Sequence, residues 1–108
     1  MAIALKQKIA ENIASLLASN VASVKVYFDD NSTLDLATTN NTEHDQDNNC
    51  YYANISFLIS LSSSKTAIKY EFFNANGDLL FVDNGALSES FNVGDNYVTR
   101  KLKITYTV

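Results

Sequence analysis

The sequence predicts a mainly β protein: an antiparallel β-sandwich of about seven strands with one N-terminal amphipathic α-helix. Three observations lead there. Apolar residues recur at spacings of three and four up to about Asn20, then at every second residue to the end. Turn-forming clusters of Asn, Asp, Gly and Ser return roughly every eight to twelve residues. The stretch YYANISFLISL puts Tyr51, Ala53, Ile55, Phe57, Ile59 and Leu61 on one side of an extended chain, with mostly polar residues on the other. Helical segments do not alternate with strands, which argues against a parallel α/β fold. A flattened barrel and a sandwich share this pattern.

The helix is expected over residues 3–18. Leu5, Ile9, Ile13, Leu16 and Leu17 make one apolar stripe, alanines raise helix propensity, and Asn20 is a suitable stop. About four turns of helix are marginal alone, so the stripe should pack on the sheet of the same chain or on a partner. Residues 1–20 are therefore assigned to this helix and 21–108 to the sandwich.

Ser23 to Asp29 and Thr33 to Thr38 read as a hairpin joined at Asp29–Ser32. Thr39 to Asn49, TNNTEHDQDNN, is polar throughout and reads as a long mobile loop. The central strand Tyr51–Leu61 follows. Ala67 to Phe73 places Ile68, Tyr70 and Phe72 on one face. Asn76-Gly77 is a strong hairpin signal, because both residues accept positive φ. Leu79 to Val82 is apolar on both faces and should be well covered. After a turn at Asp83-Asn84-Gly85, Ala86 to Phe91 alternates Leu87 and Phe91 around Glu89, the pattern of an edge strand blunted by a charge. Tyr97 to Val108 is the last run, with Val98, Leu102, Ile104, Tyr106 and Val108 on one face and Arg100 interrupting the row.

With 108 residues and 46% hydrophobic content the chain suits one domain with one core. A net charge of −4 disfavours a grip on nucleic-acid phosphates, which needs clustered Lys and Arg. Cys50 is the single cysteine, so no intrachain disulfide forms, and a free thiol is expected. No stretch approaches the roughly 18 apolar residues of a membrane span. Lys6, Lys8 and Glu11 interrupt any signal-peptide core, which places the protein in the cytoplasm, in a host cytoplasm, or in a particle assembled there.

Dense ligand-type side chains occur only in Glu43–Cys50. Asp45, Asp47 and Asn49 alternate like the opening of a calcium loop, but Cys50 stands where the sharp-turn Gly belongs and Ser56 where a bidentate Glu is required. They remain candidates for a weak cation site, with a solvated loop as the plainer reading and no cofactor expected. Zinc needs more nitrogen and sulfur ligands than one His and one Cys. A Cys50–His44 catalytic pair lacks an orienting scaffold in such a loop. The three glycines are isolated turn residues rather than a phosphate cradle. Tyr27, Tyr52, Phe73 and Tyr97 fall on the parity opposite the core rows, and several exposed rings on one face would make a sugar- or protein-binding platform.

The hairpin Phe73 to Phe81, the Gly94-Asp95 turn and the terminal Ile104-Thr105-Tyr106-Thr107-Val108 resemble features of small β-sandwich structural proteins of phages and archaeal viruses. The resemblance covers roughly residues 68–108 and implies a structural or adsorption role in a virion, with no catalytic residues to carry over. The expectation is thus a non-enzymatic structural or interaction protein that self-associates or binds a protein, without nucleic acid. Its interaction residues are Leu5, Ile9, Ile13, Leu17, Tyr52 and Tyr97. The alternative is a carbohydrate- or calcium-binding module.

Overall fold

A computed structural model describes residues 2–84 and 88–107. It is mainly β, with one N-terminal helix and two antiparallel sheets. The helix α1 spans Ala2–Asn20 and the strands are β1 (Ser23–Phe28), β2 (Thr33–Ala37), β3 (Thr39–Asp45), β4 (Cys50–Leu61), β5 (Lys65–Phe73), β6 (Leu79–Asp83), β7 (Glu89–Phe91) and β8 (Gly94–Thr105). The described strands number eight rather than the seven expected, because Thr39–Asp45 is not a loop. Gly85, Ala86, Leu87 and Val108, which the sequence reading placed in a turn and two strands, lie outside the described residues.

The larger sheet runs β2-β1-β5-β6, and β7 shares the β6 edge of β5. β6 pairs with Tyr70–Phe73 and β7 with Lys65–Ala67, so two short strands line one long one. The smaller sheet runs β3-β4-β8, with β4 and β8 in register along their full length from Cys50↔Thr105 to Leu61↔Gly94.

The two sheets face each other across the main core. Val24, Val26 and Phe28 of β1 and Tyr70 and Phe72 of β5 meet Ile55, Phe57 and Ile59 of β4 and Val98 of β8. Phe57 packs edge-on against Tyr70, with ring centroids 5.2 Å apart. The alternating residues of β4 deliver this face, as the period-2 pattern predicts. Ile68 does not join it. Between Tyr27↔Lys69 and Phe28↔Ala67 the β5 strand carries one extra residue, a bulge that turns Ile68 to solvent and puts Ala67 in the core.

A further expectation is corrected at β6. Leu79, Leu80 and Val82 are exposed rather than covered, because β6 is an edge strand and its one core side chain is the half-buried Phe81. In the preceding turn Gly77 takes positive φ and Asn76 does not. Asn74 organises this turn, accepting from the Asn76 and Asp78 amides at 3.0 and 2.9 Å.

Glu89 is not a solvent-facing guard, and Arg100 is not an isolated break in the β8 row. Arg100 crosses from the smaller sheet to Asp83 of β6 at 2.5 Å and Glu89 of β7 at 3.1 Å. Tyr70 donates to the same Glu89 carboxylate at 2.9 Å. One guanidinium thus ties the ends of two short edge strands to the facing sheet, using the paired donors of its planar fork.

Candidate interaction surface

The helix lies on the same face of the smaller sheet as the larger sheet does. Tyr51 shares its strand face with Ile55, Phe57 and Ile59, yet Tyr51 packs with Ala10, Ala14 and Tyr106 in a separate cluster. The inward face of β4 is therefore covered by α1 at its start and by the larger sheet beyond, consistent with the elongated 53 × 30 × 22 Å molecule.

The contact uses the helix's small side. Ala10 and Ala14 lie against the sheet, letting the helix backbone come close to the Tyr51 and Tyr106 rings. Polar groups complete the seat. Gln7 Nε2 donates to the Tyr51 hydroxyl at 3.2 Å, and that hydroxyl donates to Glu11 Oε2 at 3.2 Å. His44 stacks on Tyr51 with centroids 4.2 Å apart and shares a 2.8 Å hydrogen bond with the Tyr106 hydroxyl. Lys8, hydrogen-bonded to Glu11 at 2.8 Å, holds that carboxyl below its ordinary range. Burial pushes the Tyr106 hydroxyl up.

The last turn of the helix is closed by side chains. Asn40 Nδ2 donates to the carbonyls of Ala18 and Val21 at 2.9 and 2.6 Å, and Asn20 Nδ2 donates to the Leu16 carbonyl at 2.7 Å. The bond to Ala18 satisfies one of the carbonyls that a helix end leaves unpaired.

With the alanines turned inward, the large residues are left outside. Leu5, Ile9, Ile13 and Leu16 are 63, 50, 42 and 61% exposed. Of the two placements expected for the stripe, packing on this chain's own sheet is not the one adopted: the helix does pack there, but by its other side. Leu17 points partly inward and does not belong to the free stripe. An open groove of about 340 Å³ runs beside the stripe, lined by Ile9, Ala10 and Ile13 from α1 and Ile104 and Tyr106 from the end of β8. Lys6 reaches across it to Thr107 Oγ1 at 3.0 Å.

Much of the outer face of the smaller sheet is polar and tied by hydrogen bonds between side chains, while the buried Asn54 Oδ1 has no partner among the described residues. Asn54 donates to Asn41 at 2.9 Å and to Glu43 at 3.2 Å, Lys101 donates to Glu43 at 3.0 Å, and Ser56 bonds Thr99 at 2.9 Å. The Lys101 bond holds the Glu43 carboxyl below its usual range, with Asn54 adding to the effect. Tyr52 is half-buried beneath Lys101, whose ammonium lies 5.0 Å from the ring centroid. The Cys50 thiol raises the Tyr52 hydroxyl, with burial adding to it. Tyr97 stands 83% exposed opposite Leu58 on this face. Tyr27 and Phe73 belong instead to the outer face of the larger sheet, so the four off-parity rings form no single platform. Tyr27 is occupied there, bonded to Glu71 with Lys69 at 4.0 Å from its ring centroid.

The acidic segment is a hairpin. β3 pairs with β4 from Thr39↔Ser56 to Asp45↔Cys50, and the turn closes with Asn49 at φ 51°. Asp45 accepts from the Asn48 backbone and side chain at 3.2 and 2.8 Å. Among the described residues no three His, Cys, Asp or Glu side chains stand close enough together to hold a metal ion. Asp45 caps the turn, and Asp47 and Asn49 lie within it. His44 and Cys50 leave opposite faces of the sheet, the first against Tyr51 and the second, fully buried, beside Tyr52.

No helix among the described residues is long and apolar enough to cross a membrane. No protein-family model, curated protein or solved structure matches the chain.

Proposed function

We propose that the protein works by binding rather than by catalysis, and that the outer stripe of α1 is its contact surface for another protein. The supporting observation is the free row Leu5, Ile9, Ile13 and Leu16 on a helix whose own seat is made by alanines. A contiguous apolar row on a rigid element is the usual form of a protein contact site, whereas single exposed apolar residues need no explanation. The most concrete version is a structural or accessory protein of a virus, acting in particle assembly or adsorption within a host cytoplasm or virion. The C-terminal resemblance supports that version.

The test is in-cell cross-linking of the protein and of an Ile9→Asp/Ile13→Asp variant. A partner, a second copy included, should be captured by the first alone and should then bind it directly once purified. Equal capture by both, or capture by neither, would reject the reading.

The second reading, a carbohydrate-binding module, draws on Tyr97, exposed beside Leu58 on the outer face of the smaller sheet. A sugar-array signal lost in Tyr97→Ala and kept in Ile9→Asp/Ile13→Asp would favour it.

A further inference from the structure

We infer that the partner on the α1 stripe is a second copy of this chain, its helix packed antiparallel to the first. This rests on the stripe being a protein contact surface, and it adds the identity and orientation of the occupant. A twofold interface requires one patch to be complementary to itself. The exposed row reads Leu5, Ile9, Ile13, Leu16: the same residue types from either end, at nearly even spacing. Two such helices crossing near residue 11 set Leu5 against Leu16 and Ile9 against Ile13, in both halves at once. A parallel pair would set each residue against its twin.

Charge favours the same arrangement. The helix carries Lys6 and Lys8 in its first half and no basic residue in its last turn. In a parallel pair the two Lys6 ammoniums, with the two Lys8–Glu11 pairs next to them, would lie side by side at one end. In the antiparallel pair each lysine falls beside residues 13–16 of the other copy, which are Ile13, Ala14, Ser15 and Leu16. The helix's one acid, Glu11, is occupied by Lys8 and Tyr51 on the seat side, so no unpaired carboxylate is drawn into the seam. A contact made by one helix face per copy belongs to the small, reversible class of interfaces, below about 1,200 Å² in total. The expected dimer is therefore concentration-dependent.

The experiment is sedimentation of the purified full chain across a range of protein concentrations, paired with oriented disulfide capture. The chain should shift from monomer to dimer as concentration rises. Ile9→Asp/Ile13→Asp should weaken association about a hundredfold, since it puts four carboxylates in one apolar seam. A Leu5→Cys chain mixed with a Leu16→Cys chain should cross-link to each other in preference to either with itself. Circular dichroism checks that each variant is folded, and Ile13→Gln replaces the double variant if that one unfolds.

A monomer at every concentration, a dimer that survives the substitutions, or preferential Leu5→Cys self-coupling would each overturn the proposal. So would uptake of a monomeric chain by anionic lipid vesicles. A monomeric chain that still shows a stripe-dependent partner by in-cell cross-linking would overturn the self-pairing and leave the protein-contact reading standing.

Discussion

At Ile55, Phe57 and Ile59 the inward face of β4 meets a second sheet; at Tyr51 it meets a helix. The first contact is made by large side chains from both layers, interlocked with no polar atom among the buried groups except the Tyr70 hydroxyl. The second joins alanines to aromatic rings through hydrogen bonds from Gln7, Glu11 and His44. Apolar burial is worth roughly 25 cal/mol per Å², so the sheet–sheet contact dominates stability. The helix brings only alanines to its buried cluster, and that contact depends more on fit. What the helix gives up in self-burial it keeps available as free apolar surface.

This contrast can be broken by mutation. Phe57→Ala, in the sheet–sheet core, should cost about 3–5 kcal/mol in chemical denaturation, by the transfer and cavity terms together. Ala14→Leu should cost about 1–3 kcal/mol, because the added side chain has no room against the Tyr51 ring, and near-ultraviolet circular dichroism should change with it. Arg100→Met leaves Asp83 and Glu89 near each other without their cation. The groups are each about a third exposed, at 32, 29 and 34%, so water screens them and the expected loss is about 1–2 kcal/mol. Ile13→Asp, on the free stripe, should change the monomer's stability by less than about 0.5 kcal/mol. A loss as large as that of Phe57→Ala would mean the stripe is core after all.

A pH series sharpens the same comparison. Burial, with the bond to Glu89 adding to it, pushes the Tyr70 hydroxyl well above its ordinary value. The neutral phenol is the form the fold prefers. Its contribution is full below the unfolded value near 10 and is lost as pH rises from there toward the folded value. Denaturation midpoints should therefore fall in strong alkali, and Tyr70→Phe should flatten that fall.

The sequence carried the parts of the fold that repeat. Alternation located β1, β4 and β8, and the three-and-four spacing located α1, because those patterns follow from burying one face. It did not carry β3. That strand is held by its ladder to β4, faces solvent outward, and spends its inward Asn40 and His44 on the helix end and the Tyr51 ring, so it shows no apolar rhythm. Glu89 and Arg100 each looked like an interruption in its own strand; they are partners across the sheets, a relation that no window along the chain displays. For α1, periodicity identified the stripe and left open whether it packs on this chain or on a partner. A count of large residues marks the greasy side of a helix, whereas here the close approach that alanine permits decided which side is seated.

The pairing of β4 with β8 also has consequences in time. Cys50 finds Thr105, and Leu61 finds Gly94, only after β5, β6 and β7 have been looped out between them. Closing such a loop is slow relative to zipping a hairpin, which places refolding in the milliseconds-to-seconds regime of β-rich topologies. The β1–β2 and β3–β4 hairpins can flicker into place long before the smaller sheet gains its third strand. Until then Tyr51 has no Tyr106 beside it, and the helix has only part of its seat.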